Sequence, residues 1–175
     1  MIIWLLVDDS MKEKTGPKGF PERIYTYDEV RLARDLIKRG HKHRLRINGN
    51  PAFKEKTNKA LKLVSTAEQY DFLRTYIRTI REIEGLSQLR EAEASIWANK
   101  HAVEDQVEAA CFFVQKAWQM RDYIEGKTYY GHIGETRAAN ARQKFLLTLE
   151  KKVADPEIKK DCRRKIELWG ESKFL

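Results

Sequence analysis

Three polar side chains share one face of a predicted helix, and a carboxylate follows them along the chain. Gln115 and Gln119 are four residues apart, so a helix over residues 107–125 places them one turn apart on the same side. Lys116 follows the first of these glutamines, and Glu135 comes sixteen residues after the second, at the start of the next predicted helix. Two amides, one ammonium and one carboxylate can hydrogen-bond a ligand, and Lys116 would attract a carboxylate group. The spacing therefore predicts that Gln115 and Gln119 face the same way on one helix.

This spacing resembles the HExxH motif of zinc metallopeptidases. In that motif, two histidines four residues apart bind zinc and the glutamate between them activates a water molecule. A third ligand, often a glutamate, comes from a following helix. In this sequence Gln115 and Gln119 stand at the two histidine positions. Lys116 stands at the position of the catalytic glutamate, and Glu135 at that of the third ligand.

The surrounding sequence is similar to a family of small, poorly characterised HExxH proteins. A turn from glycine to phenylalanine at residues 49–53 precedes a helix, and Tyr76-Ile77 matches a pattern in the helix after it. The stretch around Glu135 is similar to the segment that carries the third zinc ligand in that family. The matching residues there are Gly126 to Gly131, Gly134, Ala139, Asn140 and Gln143. The resemblance covers residues 45–150 and implies a zincin-like fold.

The departures from the motif imply that the chain is catalytically inactive. Zinc is bound by imidazole, thiolate and carboxylate groups, whereas the amides of Gln115 and Gln119 are neutral and poor ligands. An ammonium at Lys116 repels a divalent cation and cannot accept a proton from water. The resemblance therefore implies a domain without metal or cofactor, whose cleft binds a peptide or a small ligand. The residues expected to line that cleft are Gln115, Lys116, Gln119, His132 and Glu135.

A basic strand predicts a different function, the binding of nucleic acid by an accessory protein that is not an enzyme. Residues 42–47 alternate basic and less polar side chains, a period of two that indicates a strand. Lys42, Arg44 and Arg46 would then lie about 6–7 Å apart on one face, which suits contacts with phosphates. Neither this run nor the basic run in the last helix contains interleaved aromatic side chains for base stacking. The same charges could instead protect an edge strand from aggregation. The second basic run includes Arg163 and Arg164.

Length and composition indicate one globular domain. The 175 residues are 42% apolar and carry a net charge of +8, which argues against disorder and favours either phosphate partners or a solvated surface. The apolar run at residues 2–7 has no basic residue before it and is too short for a signal peptide or a membrane span. Two cysteines are too few for a disulfide framework, so we expect free thiols and a cytoplasmic protein. The sequence indicates no oligomeric state.

The apolar periodicity predicts an α+β fold that is predominantly helical, with five or six helices and a small zincin-like sheet. The 175 residues form one domain, divided into a basic β-α-β segment (1–50), a zincin-like helical region (51–153) and a C-terminal helix (154–175). The predicted strands are residues 2–7 and 42–47, and residues 86–106 fit either helix or strand. The predicted helices are residues 28–39 (capped by Asp28), 52–64, 66–84, 107–125, 136–153 and 156–169.

Overall fold

A computed structural model describes residues 19–172, and it confirms an α+β fold in which helices predominate. The helices are α1 (Tyr27–Lys38), α2 (Pro51–Thr66), α3 (Tyr70–Tyr76), α4 (Gln106–Ile124), α5 (Gly131–Lys152) and α6 (Pro156–Ser172). The strands are β1 (Arg46–Asn48), β2 (Thr79–Ile83), β3 (Gln88–Arg90) and β4 (Ser95–Asn99). Two short 3₁₀ turns, Glu91–Glu93 and Lys100–Val103, lie on either side of β4.

The four strands form one mixed sheet in the order β1-β2-β4-β3. The first three are parallel, and β3 runs antiparallel to β4 at one edge. Ile80, Ile96 and Leu89 are buried at neighbouring register positions, so one face of the sheet belongs to the hydrophobic core. The opposite face carries the alternate residues of each strand, because successive side chains point to opposite sides.

Helix α4 is the centre of the helical layer, with α2, α3, α5 and α6 packed around it. Its side chains are buried on several sides, among them Phe113, Val114 and Met120. A helix that is apolar nearly all round has to be surrounded by other elements. Asp105 begins the helix by accepting hydrogen bonds from the backbone N–H groups of residues 107 and 108. The helix that carries the candidate site is therefore held firmly in the core.

The predicted helix over residues 66–84 is wrong. Glu68 has a positive φ of 60° and interrupts the chain after α2, so Thr66 ends that helix and does not cap the next one. Helix α3 stops at Tyr76, and Ile77 is already extended. The following residues form β2, whose β-branched side chains favour a strand. The apolar spacing in this stretch fits periods of both 3.6 and 2, and pairing with β1 and β4 decides between them.

Residues 86–106 contain β3, β4 and the two 3₁₀ turns, so the strand alternative is the correct one. As a result, three of the four strands lie within residues 51–153, which we predicted as a helical region. In the first basic segment, only Arg46–Asn48 pairs with a neighbouring strand, so β1 is shorter than the predicted strand at residues 42–47.

Two helix boundaries also differ from the prediction. Helix α1 is capped by Thr26, whose side chain accepts from the Glu29 N–H, so Asp28 lies inside the helix. Helix α5 begins at Gly131, five residues before the predicted start. The predicted strand at residues 2–7 lies outside the described residues. None of the helices in residues 19–172 is both long and apolar enough to cross a membrane.

Candidate functional site

One face of α4 presents Lys116 and Gln119 toward the sheet edge and the loop before α5. Phe112, Lys116, Gln119 and Tyr123 are spaced by three or four residues, so they form one stripe along the helix. All four side chains are half-buried. The stripe includes Lys116 and Gln119, two of the residues that we expected to line a cleft.

Lys116 is the central group of this stripe. Its Nζ donates to Gln119 Oε1 at 3.0 Å and lies 5.5 Å from the centroid of the Phe112 ring. Burial lowers the pKa of Lys116, and the negative charges of Glu91 and Glu135 oppose that shift. Glu135, from α5, therefore shares an electrostatic environment with Lys116. Glu91, which follows β3, supplies a second carboxylate that the sequence analysis did not place here.

The other predicted site residues are less closely engaged. Gln115 is half-buried one turn before Gln119 and makes no side-chain hydrogen bond to the residues that the structure describes. Glu135 is exposed on the first turns of α5. His132 is exposed as well, and its backbone carbonyl accepts from the Thr136 hydroxyl. The Lys116 ammonium is thus bonded to Gln119 and lies within the electrostatic influence of Glu135, whereas no contact within the described residues joins Gln115 or His132 to it.

Tyrosines surround this group, and the sequence analysis did not identify them as site residues. The rings of Tyr123 and Tyr129 meet edge to face at 5.5 Å, and those of Tyr129 and Tyr130 at 5.1 Å. Burial raises the pKa of Tyr129 to about 12, and the charge of Glu91 and a hydrogen bond to it add to the shift. Tyr130 remains 67% exposed. These rings form an aromatic rim beside Lys116.

The backbone of Tyr129 passes very close to Gly134 of α5, and this contact positions the rim. A Cβ on Gly134 would lie 2.2 Å from the carbonyl carbon of Tyr129, so only glycine fits at this point of α5. Gly131 has a φ of +67°, which allows the chain to turn sharply into the helix. The two glycines therefore hold the loop with Tyr129 and Tyr130 against the start of α5.

The side chains of this site do not fit a zinc ion. Lys116 directs its ammonium into the region between Gln119 and the carboxylates, and a cation there excludes a divalent metal. The Gln119 oxygen already accepts a hydrogen bond from that ammonium. Within residues 19–172, no three His, Cys, Asp or Glu side chains are grouped so that they could hold a metal ion.

Arg46 of β1 lies on the outward face of the sheet, whereas Lys42 and Arg44 precede the strand. Lys42, Arg44 and Arg46 are exposed, and His43 between them is buried, so the predicted alternation of faces is present. Trp97 of β4 lies in the middle of this face. The guanidinium of Arg90 is 4.5 Å from the Trp97 ring centroid, and that of Arg81 is 5.8 Å away. The aromatic group that is missing from the basic run is therefore supplied by a different strand.

The basic cluster on α6 is engaged in ion pairs. Arg163 lies 2.8 Å from Glu150, and Arg164 lies 2.7 Å from Asp161. Both arginines line an open groove of about 1040 Å³ near α2 and the start of α4. Several carboxylates share that groove, namely Glu104, Asp105, Asp155, Glu157, Asp161 and Glu167. The charges of this cluster are compensated locally, unlike those of the sheet.

Comparisons with protein-family models, with curated proteins and with solved structures found no match to this chain.

Proposed function

We propose that this chain is a catalytically silent, zincin-like binding domain whose cleft, between α4 and the start of α5, takes a peptide. One observation carries the proposal: the Lys116 ammonium is hydrogen-bonded to Gln119 and lies near Glu135. In the HExxH arrangement that the sequence resembles, the corresponding groups hold zinc and activate water. Here the protein supplies its own cation, so the site keeps a polar cleft without the groups needed for hydrolysis.

The surroundings of Lys116 favour a peptide that carries a neutral or basic side chain. The single positive charge faces the two carboxylates of Glu91 and Glu135, so the cleft as a whole does not attract a carboxylate. Tyr130, exposed at the rim, offers a ring face and a hydroxyl group, which suit cation–π contacts and hydrogen bonds. The short edge strand β3 is next to this region and can add an extended peptide through backbone hydrogen bonds.

Restoring the motif tests the metallopeptidase ancestry. The triple variant Gln115→His, Lys116→Glu, Gln119→His replaces two amides and the ammonium by zinc-binding groups, with Glu135 available as the third ligand. We expect it to bind one zinc ion per chain in equilibrium dialysis, while the unaltered protein binds none. The control variant Gln115→His, Gln119→His retains Lys116 and should bind zinc more weakly. A stoichiometric zinc ion in unaltered protein purified without chelators would refute the proposal.

Peptide binding is tested by selecting from a library of short random peptides. We expect enriched sequences with basic or aromatic residues. Tyr130→Ala should lose their binding, whereas Lys116→Ala removes a cation from beside Glu91 and Glu135 and should strengthen binding of the basic sequences. Tyr27→Ala is the matched control, because Tyr27 is a similarly exposed tyrosine outside the rim. Equal binding by all three variants would assign the selected peptides to another surface.

We also propose a cytoplasmic location, since Cys111 and Cys162 are both free and buried.

A further inference from the structure

We propose that the outward face of the sheet binds single-stranded nucleic acid, with Trp97 stacking on a base and Arg46, Arg81 and Arg90 contacting phosphates. This site is separate from the cleft on α4 and carries a different ligand. The two proposals can therefore succeed or fail independently.

The strand register places these four side chains on one face. Arg46 of β1 pairs with Thr79 of β2, and Arg81 lies two residues after Thr79, so it is on the same face. Arg81 in turn pairs with Trp97 of β4. Arg90 lies diagonally across from Trp97 on β3. From β1 to β3 this face crosses three strand spacings, roughly 14 Å in all. An extended strand of nucleic acid can therefore lie across the sheet and contact all three arginines and the indole ring.

Within residues 19–172, no carboxylate pairs with the positive charges on this face. Arg46, Arg81 and Arg90 are exposed and form no ion pair within the described residues. The outward positions of the four strands hold no carboxylate. Lys42 and Arg44, which precede β1, are two further exposed cations without an ion pair among the described residues. Uncompensated cations release counterions when they meet phosphates, which provides the driving force for binding.

Trp97 favours a single strand over a duplex. A base can stack on an aromatic ring only when it is not already stacked within a helix, and single strands meet this condition. The Trp97 ring is half-buried, and the guanidinium groups of Arg81 and Arg90 lie 5.8 and 4.5 Å from its centroid. Planar guanidinium groups also accept stacked bases.

Fluorescence anisotropy with a labelled oligothymidylate of about 12 nucleotides tests this proposal. We expect salt-dependent binding by the unaltered protein. The Trp97→Leu variant should bind about tenfold more weakly at unchanged salt dependence, because it loses the stacking surface. Trp97→Phe should recover most of the affinity. The double variant Arg81→Gln, Arg90→Gln should reduce the slope of log K against log salt by roughly 1.4, since each phosphate contact contributes about 0.7 for single strands.

Lys144→Gln, Lys151→Gln is the matched control. It removes the same charge from exposed, unpaired lysines on α5, and we expect near-unaltered binding. Several outcomes would overturn the proposal. The first is no binding at low salt, and the second is equal weakening by the sheet and α5 variants. The third is that duplex DNA and polyglutamate bind as tightly as the single strand, and that Trp97→Leu does not change their binding. Thermal unfolding followed by circular dichroism establishes whether each variant is folded. If Trp97→Leu does not fold, the double arginine variant still tests the site.

Discussion

The helical layer and the outward face of the sheet use charge in opposite ways. Lys165 of α6 is 8% exposed and lies 2.9 Å from Asp105 and 3.1 Å from Asp161, so it joins the start of α4 to the interior of α6. On the sheet face, Arg46 and Arg81 are exposed and pair with no carboxylate in the part of the chain that the structure describes. Both regions are rich in charge. The difference shows that the neighbours of a charge, and not the number of charges, decide whether it stabilises the fold or remains available to a ligand.

The same contrast separates the two proposed sites. In the cleft, Lys116 is held by Gln119 and faces Glu91 and Glu135. Its charge is therefore largely used within the protein, which leaves shape and aromatic contacts to select a ligand. On the sheet, electrostatic attraction is available to an incoming polyanion. The predictions below remove charges from each region in order to test this distinction.

The largest effect is expected from Lys165→Met. Burial opposes the charged form of Lys165, but hydrogen bonds to Asp105 and Asp161 outweigh this and raise its pKa. Removing the ammonium leaves those carboxylates without their partner. We therefore expect a loss of about 2–3 kcal/mol in the free energy of unfolding. This loss is smaller than that for a fully buried ion pair, because the carboxylates are partly hydrated. Urea denaturation measures the change. Lys160→Met, on the exposed side of the same helix, should change stability by less than about 0.5 kcal/mol; equal losses would contradict the role of the ion cluster.

An effect of intermediate size is expected from acidification, through His43. Burial lowers the pKa of His43 to about 3, and the charges of His41 and Arg78 add to the shift. Phe20, His41 and Arg78 are its neighbours, and none is a carboxylate. Because the unfolded chain binds the proton at a higher pH, the contribution to stability is complete above about pH 6.5 and is lost as the pH falls toward 3.

Between pH 7 and 5, this difference corresponds to about 2 kcal/mol. The His43→Gln variant has no titrating group at this position, so its stability should fall by that much less over the same range. Denaturation at the two pH values measures both proteins, and His41 is present in each. Parallel pH profiles would mean that His43 is protonated in the folded state.

The smallest effect is expected from Arg81→Gln on the sheet face. This arginine has no ion-pair partner in the described residues, and its removal relieves repulsion among neighbouring cations. We expect stability to change by less than about 0.5 kcal/mol. Arg142→Gln is the comparison variant, since Arg142 donates to both oxygens of Glu108 at 3.0 and 2.8 Å and should cost about 1 kcal/mol or more. Equal losses in the two variants would remove the distinction between the regions.

Local patterns were sufficient for much of the fold. The alternation in residues 42–47 correctly separated Arg44 and Arg46 from buried His43, because a period of two assigns faces before any partner strand is known. The long apolar helix α4 was equally evident from its spacing. In contrast, β2 was predicted as helix. Its five residues become a strand through pairing on both sides, which is a long-range interaction that local spacing does not contain.

For the candidate sites, spacing along one helix predicted that Lys116 and Gln119 share a face. It could not identify Glu91 or Tyr129, since these come from other elements and no motif connects them with α4. Trp97 was missed for the same reason. Its position between Arg81 and Arg90 depends on strand register, and a shift of one residue would turn the ring toward the core.

The sequence alone determined which chemical groups exist in this protein: a QKxxQ helix without the ligands and base for zinc hydrolysis, an alternating basic segment, and enough apolar periodicity for one helix-rich domain. Only the tertiary structure decided which charges are satisfied. It brought carboxylates to Lys116 and Lys165, and it placed Trp97 among arginines with no carboxylate on the same face. The physical reason is that covalent sequence specifies charge and shape one residue at a time, whereas compensation of charge depends on distances that folding alone sets.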